Sequence, residues 1–335
     1  MASANRSASG DGSAHDSAVM ETASDASLCK LSASSLGYFR DPFVQFFVKS
    51  PSRRMPIINR GYYARVTAVE TLLTKFLEAE TLKKKQVVIL GAGLDTMFFR
   101  MKEAGRLSQC EYFELDFPDV TMQKVAVMKR RKALAALVGL DSNEAFMAAV
   151  SSGYSELNAN GYHLLPCDLR DIKGTKEKLE AAGIDRSAPT LFISECVLIY
   201  MDAQFSSEVI SWSAEFFEDV NYVLYEQILP DDAFGKVMMA NIKARGCDLL
   251  SIRDYPTLDA QIARFRVHNF EAVHAWDMNQ IYYQYLDAAE RIKREKLEIF
   301  DEVEEFHLLQ AHYCVVVASK QATSPTAQAL ALVKQ

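Results

Sequence analysis

Residues 87–96 read Val87-Val88-Ile89-Leu90-Gly91-Ala92-Gly93-Leu94-Asp95-Thr96, a continuous apolar run that breaks on two glycines. A run of this kind is a strand covered on both faces. The Gly-x-Gly after it is a turn that accepts positive φ and lets a ligand lie against bare backbone. A third glycine would complete a dinucleotide fingerprint, but Thr96 stands in its place. The turn therefore suits a nucleoside ligand without a pyrophosphate, and a nicotinamide dehydrogenase is disfavoured.

Outward from this turn, six more runs read as strands: Glu111–Leu115, His163–Cys167, Thr190–Ser194, Tyr222–Gln227, Glu271–Ala275 and Tyr313–Ala318. The first strand itself spans Gln86–Leu90. Helical patterns fall between them over 61–79, 119–138, 173–182, 203–217 and 233–244, and a long helical stretch covers about 278–310. Strand–helix alternation with right-handed crossovers predicts an α/β fold with a doubly wound, mostly parallel sheet of seven strands. The final two runs are free to pair antiparallel.

Acids recur where the strands end. Glu114 and Asp116 close the second strand about 25 residues beyond the turn, the position from which a carboxylate holds a ribose diol. Alternation puts both on one face, so spacing alone leaves the choice open. Cys167-Asp168-Leu169-Arg170-Asp171 ends the third run, where an acid can accept from an adenine amine. Glu195 interrupts the apolar fourth run, and a buried carboxylate there calls for a cationic partner.

The whole chain has 335 residues, with 37 Lys and Arg against 44 Asp and Glu, a net charge of −7. This acidic balance argues against binding nucleic acid by bulk phosphate neutralisation. Six scattered cysteines without metal-ligand spacing read as free thiols in a reducing compartment, and no site for a metal is expected. The N-terminus lacks a secretory signal pattern, and no run is long and apolar enough for a membrane span. A cytoplasmic monomer is the expectation. Residues 1–26, rich in Ser, Ala, Gly and Asp, read as a disordered lead. Residues 27–80 read as a helical cap dense in aromatic and basic side chains, 81–320 as the catalytic α/β domain and 321–335 as a loose tail. Residues 139–162 read as an excursion between a helix and the third strand.

Five stretches taken together, 59–65 (Asn-Arg-Gly-Tyr-Tyr-Ala-Arg), 90–96, 113–118, 167–171 and 194–201, resemble the leucine carboxyl methyltransferase family over about residues 25–320. The resemblance implies a class I S-adenosylmethionine-dependent methyltransferase fold whose last strand is antiparallel, with an added helical cap. It implies methyl transfer from S-adenosyl-L-methionine to the α-carboxylate of the C-terminal leucine of the protein phosphatase 2A catalytic subunit, whose C-terminal tail is the expected partner. By motif, Lys30, Arg65, Gly91, Asp116, Asp168, Leu169 and Glu195 would contact the cofactor. In this assignment Asp116 holds the ribose, Asp168 and Leu169 border the adenine, and Glu195 faces the methionine. Arg65 and Tyr200 are the candidates to orient the substrate carboxylate, and Lys30 with Arg65 would make a small basic pocket. Rival readings are a carboxyl methyltransferase for a small molecule or a modified tRNA base, and a non-catalytic module of the same fold.

Overall fold

The computed structural model of the protein describes residues 8–334. Its centre is one nine-stranded sheet. In chain order the strands are β1 (Lys85–Leu90), β2 (Cys110–Asp116), β3 (Val150–Ser151), β4 (Glu156–Ala159), β5 (Tyr162–Pro166), β6 (Thr190–Glu195), β7 (Val220–Gln227), β8 (Ala272–Asp277) and β9 (Tyr313–Ser319). They lie in the order β3-β4-β5-β2-β1-β6-β7-β9-β8. Strands β5, β2, β1, β6 and β7 are mutually parallel. Strand β9 runs antiparallel between β7 and β8.

All seven strands expected from the apolar runs are present. The two additional ones, β3 and β4, form a short hairpin on the edge at β5. They lie inside the stretch expected to be an excursion. Only Leu157 in them is buried, so no apolar run announces them.

Both sheet faces are covered, which is why the central strands carry no alternation. Every residue of β1 and of β7 is buried. On one face, Val87, Ile89, Tyr112 and Ile193 pack under the cap helices α1 (Ala8–Ser35) and α2 (Pro56–Glu78) and under α3 (Met97–Glu103) and α4 (Pro118–Arg130). On the other, Val88, Phe113, Phe192 and Tyr222 pack against the helices at Ile172–Ala181, Ala203–Phe216 and Leu258–Arg266. Pro56 opens α2 at a position where its missing N–H costs nothing.

Three expectations are corrected. Residues 8–26 are helical, not disordered, whereas residues 1–7 lie outside the described residues. The cause is tertiary: Met20 and Ala23 pack on the core, and Asp16 and Asp25 pair with Arg170, Arg54 and Arg245. The tail at 321–335 is docked through Pro325–Leu330, with Leu330 buried and the Thr326 hydroxyl donating to Asp219 Oδ2 at 2.9 Å; Gln335 lies outside the described residues. The long helical stretch after β8 is broken into a π-helical turn at Ile281–Tyr285 and helices at Ala288–Glu295 and Val303–Ala311. Asp287 caps the second of these pieces by accepting from the Glu290 amide. No described helix is long and apolar enough to cross a membrane.

Candidate active site

The strand order reverses its direction of growth at β1, with β2 on one side and β6 on the other. In open α/β sheets the crevice beyond the carboxyl ends of such strands is where ligands bind. A cavity of about 920 Å³ opens there. Gly91, Asp116, Glu195 and Tyr225 reach it from the ends of β1, β2, β6 and β7, and Asp168 reaches it from just beyond β5. Helices α1 and α2 both contribute to its walls. Lys30, Arg65, Gly91, Asp116, Asp168, Leu169, Glu195 and Tyr200 all line this one cavity.

The glycine turn is shaped by its neighbours. Gly91 has φ +59°, and a Cβ there would sit 2.6 Å from Val197 Cγ2, so the position admits only glycine without movement. The turn is tied to β2 by the Ala92 amide, which donates to the Leu115 carbonyl at 2.9 Å. It is tied again by the Gly93 amide, which donates to Asp116 Oδ2 at 2.6 Å. Asp116 Oδ1 accepts from the Phe117 amide at 2.7 Å. Burial pushes the Asp116 carboxyl up to about 6, against the opposing pull of these two amides.

Glu114 plays a different part. It is buried against Lys124 and accepts from the Tyr162 hydroxyl at 2.8 Å, and it does not line the cavity. Although two residues apart on one strand, the acids are separated by depth. Glu114 neutralises a buried lysine whose Nζ also donates to the Asp95 carbonyl at 2.7 Å, while Asp116 remains at the rim. Of the two, Asp116 alone is placed for a diol.

The expected basic pocket is corrected. Lys30 is ion-paired with Asp95, and Arg65 Nε donates to Glu195 Oε2 at 2.6 Å. Burial alone would raise the Asp95 carboxyl, but Lys30, Arg100 and Lys124 outweigh it and hold it well below the usual carboxylate range. Seven carboxylate residues and four Lys or Arg residues line the cavity, so its balance is acidic. Such a lining favours a ligand that carries positive charge. Sequence reasoning asked for a cation beside Glu195, and Arg65 is that cation. It missed Asp95 as the partner of Lys30.

Arg65 is the hinge of the site. Its guanidinium carbon lies 4.7 Å from the Tyr225 ring centroid, and α2 delivers it from the cap side. Burial works against its charge, yet Glu195 outweighs this and keeps it cationic. Among the described residues, its two terminal nitrogens make no hydrogen bond, and neither does the Tyr200 hydroxyl. These are donors available to an anion. Cys196, next to Glu195, has φ +57°, unusual for a non-glycine residue, and its amide donates to the Tyr225 carbonyl at 2.7 Å.

Asp168 is held by Arg170, whose Nε lies 2.9 Å from Asp168 Oδ1, and Arg170 NH2 reaches Asp16 Oδ2 on α1 at 2.7 Å. Burial would raise the Asp168 carboxyl, but the Arg170 hydrogen bonds prevail and lower it.

A second acid supports the loop that carries Tyr200. Glu226 on β7 accepts from the Ile199 amide at 2.8 Å and from Arg264 NH1 at 2.8 Å, in a pair almost wholly buried. Arg264→Leu leaves that carboxylate without its counter-charge. It should destabilise the fold by about 3–5 kcal/mol, read as a lower urea midpoint.

With this geometry in hand, the chain can be set beside known proteins. The model of the leucine carboxyl methyltransferase family matches residues 18–214. A leucine carboxyl methyltransferase 1 homolog of Arabidopsis thaliana is 43% identical over 305 residues, covering 91% of this chain and 90% of its own. This chain belongs to the leucine carboxyl methyltransferase family. The bovine leucine carboxyl methyltransferase 1 is 38% identical over 307 residues, 91% of this chain and 90% of its own. The human tRNA wybutosine-synthesizing protein 4 is 37% identical over 90% of this chain, which spans only 44% of that relative. A solved structure from Thermobifida fusca, provisionally assigned as a methyltransferase, superposes with a TM-score of 0.51 at 12% identity, covering 80% of this chain and 84% of that one. That likeness speaks to the fold alone, and it agrees with the methyltransferase α/β fold that the family resemblance implied.

Proposed function

We propose that the protein methylates the C-terminal leucine carboxylate of the protein phosphatase 2A catalytic subunit, with S-adenosyl-L-methionine as donor. The observation that carries the reading is that one acidic cavity gathers the glycine turn, Asp116, Asp168 and the Arg65–Glu195 pair in a chain 43% identical to a leucine carboxyl methyltransferase 1 homolog. The residues fit this donor. Asp116 at the end of β2 would hold its ribose diol, Asp168 and Leu169 would border its adenine, and the charged pairs of Glu195 and Lys30 would hold its ammonium and carboxylate. The bare backbone at Gly91 gives it room. Bound there, the donor supplies an electrophilic methyl group on a cationic sulfur.

The chain's own contribution follows from the acceptor's chemistry. A C-terminal carboxylate has a pKa of about 3.3–3.7, so it arrives ionised at neutral pH and needs no general base. What it needs is orientation and the removal of its hydration shell. The terminal nitrogens of Arg65 and the Tyr200 hydroxyl orient it. Because Glu195 shares the Arg65 charge, the grip on the acceptor is partial and leaves a carboxylate oxygen nucleophilic.

Asp116 makes the reading pH-dependent. Its folded value near 6 exceeds its reference value of 3.8, so within that window the folded protein keeps a proton that the unfolded chain has released. This group's contribution to stability therefore falls as pH rises from about 4 to 6. Hydroxyl donors of a ribose favour the ionised form, so donor binding expels the proton. The donor's dissociation constant should rise by up to about tenfold per pH unit below 6, and Asp116→Asn should flatten the profile. Calorimetric titration of S-adenosylmethionine across pH 5–8 reads both.

Methylation of intact phosphatase, measured beside small carboxylic acids and a tRNA fraction, separates this function from its rivals. The tRNA reading rests on the human relative, of which this chain spans less than half.

A further inference from the structure

The cavity extends beyond the pairs already described. Past Arg65 it is bounded by Gly61 and Tyr62 of α2, Gln227 at the end of β7, Gln310 of the helix at Val303–Ala311, and Tyr313 at the start of β9. Gln227 and Gln310 are more than nine-tenths buried, yet their carboxamide oxygens have no hydrogen-bond partner. Of the cavity-lining side chains described, these two alone hold such buried, unpartnered polar atoms. Burying an acceptor without a donor costs free energy, and in a native fold such an atom asks for an explanation.

Their placement supplies one. Gln310 faces Gly61, where a Cβ would lie 3.5 Å from its Nε2, and Gly61 sits one helical turn before Arg65 on the same face of α2. One turn is about 5.4 Å. Gln227 lies two residues beyond Tyr225 on the same face of β7, and Tyr225 stacks on Arg65. Two strand residues span about 6.6 Å. Gln227 is also directly opposite Tyr313 in the β7–β9 pairing. By backbone position, Gln227 stands one short step from Tyr225, and the Gly61 that Gln310 faces stands one short step from Arg65, the pair at which the acceptor carboxylate is proposed to sit. A peptide's last residue carries an obligatory N–H at that step from its carboxylate, and a carboxamide oxygen needs that donor.

Resting on the function proposed above, we infer that Gln227 and Gln310 bind the terminal peptide group of the acceptor. They are the residues that require a peptide C-terminus in place of a simple carboxylic acid. A site built to accept from a substrate N–H rejects an analogue that lacks it, because its own oxygen is then left buried and bare. A leucine side chain in an apolar slot supplies far less selectivity.

The test replaces the final peptide bond of the phosphatase tail by an ester, using a ligated tail on the intact catalytic subunit, so that an ester oxygen stands where the N–H was. With the full-length enzyme, the ester-linked acceptor should show kcat/KM lower by about tenfold or more. For Gln227→Met/Gln310→Met, KM for the normal acceptor should rise by a similar factor while KM for S-adenosylmethionine stays put. The ester should then cost less than about threefold further. Equal rates on the two acceptors with the unaltered enzyme would overturn the inference, and this comparison needs no variant to fold. Undiminished sensitivity to the ester in a double variant that still binds the donor would overturn it too. Absence of methyl transfer to either acceptor would instead overturn the functional reading beneath it.

Discussion

Gly91→Arg should abolish methyl transfer and weaken S-adenosylmethionine binding by about 100-fold or more, while the fold survives. Gly91 holds φ +59°, a conformation that costs an L-residue roughly 1–2 kcal/mol. A Cβ there meets Val197 Cγ2 at 2.6 Å, so the turn must open or the valine must move. Gly91 and Val197 both line the cavity, so the added side chain should crowd it and bring a positive charge that competes with the donor's own. Strand β1 stays paired to β2 and β6 along its length, so circular dichroism and the urea transition should remain those of a folded protein. Calorimetry then gives the decisive reading. Retained donor affinity in a folded Gly91→Arg protein would mean that the donor does not lie at this turn.

Arg65→Met is expected to lower kcat/KM by about a thousandfold and to destabilise the protein by about 3–5 kcal/mol, for two separable reasons. Stability falls because Glu195, at the inner end of β6, loses its only cation among the described residues. Activity falls because the free guanidinium donors proposed to orient the acceptor disappear. The double variant Arg65→Met/Glu195→Gln separates them: neutralising the orphaned acid should restore most of the urea midpoint and almost none of the activity. Recovery of both together would reduce Arg65 to a structural ion.

The parts of this molecule that were legible beforehand share a physical property, which is that their determinants are local. Strands β1, β6 and β7 are buried on both faces, so each is written as an apolar run that needs no partner to be recognised. The glycines, and the acids at strand ends, stand at short, fixed distances from those runs. The elements that escaped notice are ordered by distant partners. Helix α1 up to residue 26 is composed like a disordered segment, and it is held by Asp16 on Arg170, 154 residues away, and Asp25 on Arg245, 220 residues away. The hairpin β3–β4 is too short and too exposed to carry a pattern.

The site divides in the same way. Asp116, Asp168 and Glu195 could be found because a carboxylate at the end of an apolar strand is conspicuous. That Lys30 is spent on Asp95 could not be read, since the two residues meet only when the cap closes on the sheet. The supposed basic pocket dissolved into ion pairs for that reason. Gln227 and Gln310 were invisible because a glutamine at the end of a strand or helix is ordinary. Only burial without a partner sets them apart.

The proposed methyl acceptor is a protein's terminal leucine carboxylate. Transfer from S-adenosylmethionine carrying a radiolabelled methyl, measured on the intact phosphatase 2A catalytic subunit and on the same subunit lacking its last leucine, tests it directly. Alkali-labile label, as a methyl ester requires, is expected on the intact subunit and none on the shortened one. Equal labelling of both, or label that survives alkali, would contradict it.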